Sequence, residues 1–149
     1  MNIADNLITD LSNKTQSILT DEGTTIGVGL DLVDVTEFER MDFTANIAFY
    51  ERCFSPDEIA YCLAQAVPAR HFAARFAAKE AAVKAFSSIA ALAYRQVEVR
   101  HSENSAPYLY LSDYERHGPL TELAQYEALV SLSHTDNTAG AVVIVYESK

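Results

Sequence analysis

The run Ala73-Ala74-Arg75-Phe76-Ala77-Ala78-Lys79-Glu80-Ala81-Ala82-Val83-Lys84-Ala85-Phe86 constrains this chain more than any other stretch. It holds no glycine or proline, and alanine is the strongest helix former, so a helix follows. Its apolar residues run nearly all round, the pattern of a helix buried on most sides. Yet it carries Arg75, Lys79, Glu80 and Lys84. Ionised groups enter a buried helix only with partners or a task. Glu80 and Lys84 stand one turn apart and point into the same space. A carboxylate and an ammonium facing one cavity are what a site for a metal and a phosphate needs.

The long helix is expected over about residues 69–86, entered after Pro68 and left through Ser87-Ser88. Ahead of it, Ile26-Gly27-Val28-Gly29-Leu30-Asp31-Leu32-Val33 reads as a strand whose glycines admit another chain or a ligand close to the backbone. A polar, mostly helical segment follows over residues 34–41. Ser55-Pro56-Asp57-Glu58 is a helix start, with Ser55 as N-cap and Glu58 closing a capping box, a structural role only. Residues 96–100 and 108–111 alternate with period two around a turn at residues 104–107. Gly118-Pro119 precedes a short helical stretch to about Tyr126. Residues 128–133 and 139–146 are two strands joined by His134-Thr135-Asp136-Asn137-Thr138. This order predicts an α+β domain: a mainly antiparallel sheet with helices packed on one face and one long buried central helix. Residues 1–24 read as an N-terminal extension, in which Ile3, Leu7, Leu11, Ile18 and Leu19 keep a helical stripe that Gly23 and Thr24-Thr25 break. Residues 25–149 form the domain.

Among 149 residues, 49% are hydrophobic and 21% charged, the composition of one globular domain. No apolar run approaches the ~20 residues of a membrane span, and the first ten residues lack the pattern of a secretory signal. Cys53 and Cys62 have no metal-ligand spacing and read as reduced core thiols of a cytosolic, hence cytoplasmic, protein. A net charge of −10 argues against nucleic acid as a partner. The charge is uneven, however. Residues 1–39 hold eight acidic side chains and one lysine, whereas residues 40–100 hold eight of the eleven basic ones. Such a basic middle attracts an anionic ligand or an acidic protein locally.

Four positions carry the candidate chemistry: Asp31 at a strand end, Glu80 and Lys84 on the helix, and His134 at a later strand end. Asp31 and Glu80 together have the donor set that Mg²⁺ takes, a couple of carboxylates plus water and substrate phosphate. Taken singly, each has a plainer reading. Asp31 reads as a helix cap or turn former, Glu80 and Lys84 as a helix-supporting pair, and His134 as a turn or satisfied core histidine. The case rests on all four together.

Three ordered stretches then resemble a known family. Gly27-Val28-Gly29-Leu30-Asp31, the run from Arg75 to Lys84, and Ser131-Leu132-Ser133-His134-Thr135 look like the motifs of the 4′-phosphopantetheinyl transferases, closest to the small holo-acyl-carrier-protein synthase type. Phe54-Ser55-Pro56-Asp57-Glu58 matches the segment between the first two motifs. The resemblance implies transfer of phosphopantetheine from coenzyme A to a serine of an apo acyl carrier protein, with release of adenosine 3′,5′-bisphosphate. It implies Asp31 and Glu80 as Mg²⁺ ligands, and Glu80 as base through a water. It implies Lys84 at the coenzyme A phosphates, able to protonate the leaving phosphate. Arg75, Ser133 and His134 would contact the nucleotide phosphates. It also implies a homotrimer with sites between subunits and a place in fatty-acid biosynthesis.

The chain departs from the family pattern in places. Ser87-Ser88-Ile89-Ala90 replaces a Gly-rich exit, and Ser105-Ala106-Pro107 replaces a turn that usually carries a basic residue. Asp34, Glu37 and Glu39 stand where relatives place basic residues to receive the carrier. Arg40 and Arg52, with Phe38 and Met41 as apolar contacts, are then the docking candidates. Two other classes remain open: a non-catalytic coenzyme A or carrier-protein binding module, and a nucleotide hydrolase built on the same metal pair.

Overall fold

The computed structural model describes the backbone of residues 23–148 and the side chains of residues 25–148. The helical stripe expected before Gly23 lies outside them. Strand β1 (Gly23–Asp34) begins three residues earlier than expected, because Gly23 already pairs with Ser148. Helix α1 (Val35–Arg40) follows at once, capped by Asp34 Oδ1, which accepts from Thr36 N at 3.0 Å. Helix α2 (Ile47–Cys53) had no clear sequence signal. Helix α3 (Pro56–Leu63) starts with both bonds of the expected capping box. Helix α4 (Pro68–Phe86) is the long helix of the sequence.

Beyond α4, strands β2 (Val97–His101), β3 (Pro107–Asp113) and β4 (Gly118–Pro119) form one antiparallel sheet in that order. Strands β5 (Tyr126–His134) and β6 (Thr138–Ser148) join β1 in a second, in the order β1-β6-β5. The single sheet foreseen is thus two, both antiparallel. The helical stretch foreseen before Tyr126 shrinks to a 3-10 turn over Thr121–Leu123, after the short β4.

Helix α4 lies on the β1-β6-β5 sheet, and its burial follows from small residues on both sides. Ala81 and Ala85 meet Gly27 and Gly29, where an added Cβ would overlap the carbonyl oxygens of Ala85 and Ala81 respectively. The Gly-x-Gly spacing therefore lets helix backbone touch strand backbone. Ala139, Ala141, Val143 and Val145 of β6 complete that inner face. At the opposite side of α4, Phe72 meets Tyr50 and Phe54 with ring centroids 4.7 and 5.1 Å apart. Phe38 belongs to this buried cluster, stacked on Phe72 at 6.3 Å. Cys53 and Cys62 are free and buried, as expected, with burial pushing the Cys62 thiol up to about 12.

Strand alternation sends every second residue of β1 to the other face of the sheet. There Val28, Leu30 and Leu32 are 61%, 62% and 68% exposed, and Leu129 of β5 joins them. In register, Val28 pairs with Ile144 and Ile144 with Leu129, so the exposed residues form one apolar surface.

Candidate active site

Asp31 reaches its place because β1 alternates: Gly27, Gly29 and Asp31 share the face that α4 covers. Helix periodicity brings Lys84 to it. Lys84 Nζ donates to Asp31 Oδ1 at 2.8 Å and to the Leu30 carbonyl at 3.0 Å. The Asp31 hydrogen bond holds the Lys84 ammonium above its ordinary pKa, with the negative charges of Asp31 and Glu80 adding to it. Glu80, one turn earlier, accepts at Oε1 from the Tyr94 hydroxyl at 2.6 Å. That bond, with burial, pushes the Tyr94 phenol up to about 12. One oxygen of each carboxylate is thus taken, leaving Asp31 Oδ2 and Glu80 Oε2 without a protein donor among the described residues. This donor set fits Mg²⁺, which binds one or two carboxylates and keeps sites for water and phosphate.

Nearer the start of α4 lies a second, cationic group. Arg75 is buried at 3% exposure, and no described carboxylate lies within ion-pair distance of it. Its guanidinium stacks on Tyr61 at 4.1 Å and approaches His101 Nδ1 at 3.5 Å. His71 faces His134 with ring centroids 6.1 Å apart. Burial lowers the pKa values of His71 and His101, and the neighbouring Arg75 charge lowers them further. Arg70 is paired instead with Asp136 at 2.8 Å.

The expected residues fall into two groups rather than one. Asp31, Glu80 and Lys84 meet near the C-terminal end of α4, and Arg75 and His134 lie toward its start. Nine positions separate Arg75 from Lys84, roughly 13 Å and about two and a half turns, so they leave opposite sides of the helix. Ser133 goes elsewhere again. It pairs with Gly140 on the open apolar face, whereas His134 pairs with the buried Ala139. Lys84 is also half exposed rather than buried.

The lysine that α4 does bury is Lys79. It donates to Glu58 Oε2 at 2.8 Å, to the Tyr94 carbonyl at 3.1 Å and, in a short bond, to the Val97 carbonyl. Glu58 is therefore more than half of a capping box: it is the counter-charge of a buried lysine. Tyr94, Tyr61, His71 and His101 were missed because they lie outside the matched motifs; only their contacts after folding connect them to the site. Phe38 is corrected too. Proposed as a docking contact, it is buried in the aromatic cluster, while Arg40 and Arg52 remain exposed.

A glycine-bearing strand under a charged, alanine-rich helix, with two carboxylates and a lysine at their contact, defines a phosphate-handling α+β scaffold. Residues 27–142 match the family model described as the 4′-phosphopantetheinyl transferase superfamily, and the chain belongs to that family. It is 38% identical over 125 residues to a holo-[acyl-carrier-protein] synthase of Syntrophus aciditrophicus, covering 80% of this chain and 94% of that protein. A synthase of the same name from Geobacter sulfurreducens is 37% identical, with 80% and 95% covered. Among solved structures, the acyl carrier protein synthase of Mycobacterium tuberculosis superposes with a TM-score of 0.62 at 32% identity, covering 83% of this chain and 98% of that one. The Helicobacter pylori synthase, solved in complex with coenzyme A, gives 0.65 at 29% identity, with 79% and 98% covered.

Proposed function

We propose that this protein transfers 4′-phosphopantetheine from coenzyme A to a serine hydroxyl of an apo acyl carrier protein, with Mg²⁺, releasing adenosine 3′,5′-bisphosphate. The observation that carries this reading is the pair of carboxylates, Asp31 and Glu80, each keeping one free oxygen beside the Lys84 ammonium. Family membership supports the donor and the acceptor.

Attack on the pyrophosphate builds negative charge on non-bridging and leaving oxygens. Bound Mg²⁺ would supply Lewis-acid neutralisation of that charge, held by Asp31 and Glu80. Lys84 contributes a second positive charge. Held protonated by Asp31, it serves as a fixed cation rather than as an acid. The departing phosphate monoester, with a second pKa of about 6, needs no proton at neutral pH. Glu80 receives the proton of the incoming serine through an intervening water. Arg75 and His134 bind a phosphate of the nucleotide, and the buried charge of Arg75 has no carboxylate partner among the described residues.

The two groups of residues lie apart on one chain, and the open face of β1-β6-β5 is apolar. Both features support a homotrimer in which sites form between subunits, with Ser133 facing a neighbouring copy. The protein acts in the cytoplasm and serves fatty-acid biosynthesis; its two free thiols accord with a reducing compartment. The boundary expected at residue 24 falls inside β1, whose Gly23 and Thr24 pair with Ser148 and Glu147, so the domain takes in those two residues. The test is incubation with coenzyme A, Mg²⁺ and a panel of apo carrier proteins, read by mass. The expected result is one phosphopantetheine added to a carrier serine. Nucleotide cleavage without transfer would favour the hydrolase, and binding without either would favour the non-catalytic module.

A further inference from the structure

Tyr94 opens the 3-10 turn Tyr94–Gln96 between α4 and β2, and it is tied at three points. Its carbonyl accepts from Lys79 Nζ at 3.1 Å. Its ring packs on Phe76 with centroids 5.3 Å apart. Its hydroxyl donates to Glu80 Oε1 at 2.6 Å. The first anchor is itself held by a buried pair. Lys79 is fully buried against Glu58, whose Oε1 accepts from Val99 N at 2.9 Å and whose Oε2 accepts from Ser55 N at 2.9 Å. Lys79 and Glu80 are consecutive on α4, so one helix turn fixes the tyrosine backbone and also presents the carboxylate that its hydroxyl meets.

A glutamate in this half-buried place has rotatable bonds that water alone would leave free. We propose that Tyr94 is a positioning residue for the divalent cation: its hydroxyl occupies Oε1 of Glu80 and fixes the carboxylate, leaving Oε2 as the oxygen offered beside Asp31 and Lys84. The buried Glu58–Lys79 pair does not touch the reaction. It holds the Tyr94 backbone so that the hydroxyl arrives at one distance and one angle. Partners of this kind, one step behind the ligands, typically change metal affinity by about 10–100-fold when removed. The inference rests on the two-carboxylate site proposed above.

The test is Tyr94→Phe, which deletes one oxygen and keeps the ring on Phe76. Binding of Mn²⁺, read by water-proton relaxation without any substrate, should weaken about tenfold. The Mg²⁺ concentration for half-maximal turnover should rise by a similar factor. At saturating Mg²⁺ the KM for coenzyme A should stay within about threefold, a pattern that general loosening of the fold does not produce. Lowered melting does not obscure the result, because the titration is run below the transition and reads folded molecules. Unchanged or tighter Mn²⁺ binding in Tyr94→Phe overturns the positioning role, since mere loss of a hydrogen bond to a carboxylate would raise its charge density. Asp31→Ala separates the two ideas. If it abolishes Mn²⁺ binding while Tyr94→Phe leaves binding intact, only the role of Tyr94 falls. If Asp31→Ala also binds Mn²⁺ normally, the cation site itself is wrong and the inference falls with it.

Discussion

Each carboxylate at the site does two jobs with two oxygens. Asp31 gives Oδ1 to Lys84, and Glu80 gives Oε1 to Tyr94, so neither can be replaced by a neutral side chain without also releasing its partner. Asp31→Ala or Glu80→Ala should therefore lower turnover below a tenth of the unchanged protein at saturating Mg²⁺ while far-UV circular dichroism stays the same. A tenfold loss is only ~1.4 kcal/mol, well under what a metal supplies to phosphoryl transfer. Retained turnover above that level would reject the pair. Lys84→Ala should cost turnover more than coenzyme A binding, and His134→Ala the reverse. Calorimetric titration beside steady-state rates distinguishes the two. The histidines beside Arg75 add a pH dependence. His71 and His101 have pKa values lowered by burial and by Arg75, so the unfolded chain binds more protons than the folded one. Stability should then fall as pH drops through about 6.5, the ordinary histidine value, toward the lower folded values. Urea midpoints from pH 8 to 5 should show the fall, and His101→Asn should flatten part of it. A nucleotide phosphate bound there would oppose the shift, so binding should take up protons.

At the scale of elements, the helix and strand that carry the site meet without side chains between them. Gly29→Ala places a methyl group against the Ala81 carbonyl, which is backbone and cannot swing away. It should cost at least about 1–3 kcal/mol in denaturant unfolding and move Asp31 relative to Glu80. The buried pair is the second element-scale tie. Lys79→Met leaves the Glu58 carboxyl buried and without its cation, and should cost about 3–5 kcal/mol. A loss under about 1 kcal/mol would mean water reaches Glu58. Alternation in β1 and helix periodicity in α4 were legible as patterns, and they led to Asp31, Glu80 and Lys84. The second tie was hidden for a physical reason. A capping glutamate at an N3 position has the same sequence whether its second oxygen meets water or a buried lysine from another helix.

For the whole molecule, the uncovered sheet face decides what the chain does next. An apolar row of Val28, Ile144 and Leu129 pairs in register and faces outward, which favours association of like chains. If the proposed homotrimer closes through this face, Val28→Asp should leave a folded single chain in sedimentation, with turnover lost in parallel. A trimer that survives it would place the interface elsewhere. With Phe38 buried, the docking candidates for an acidic carrier are the exposed Arg40 and Arg52 with Met41 as apolar contact, and ion pairs at a surface are worth only ~0–1 kcal/mol each. The association rate should fall less than a hundredfold from low to moderate ionic strength. The local alphabet of this protein, a Gly-x-Gly strand, an alanine-rich helix with charges at set spacings and a Ser-x-x-Glu start, determined β1, α3 and α4, the family and the three residues at the contact of β1 with α4. Those features depend on neighbours in sequence: period reveals the strand and the helix, and the ordered motifs carry the family resemblance. What only the tertiary structure decided is which charges are buried and which residues complete each group: Lys79 rather than Lys84 in the core, Tyr94 on Glu80, and Ser133 turned away from His134. Contacts of that kind join distant residues, 41 positions apart for Glu58 and Val99 and 53 for Asp31 and Lys84, and no local pattern encodes a pairing made by the way helices settle on a sheet.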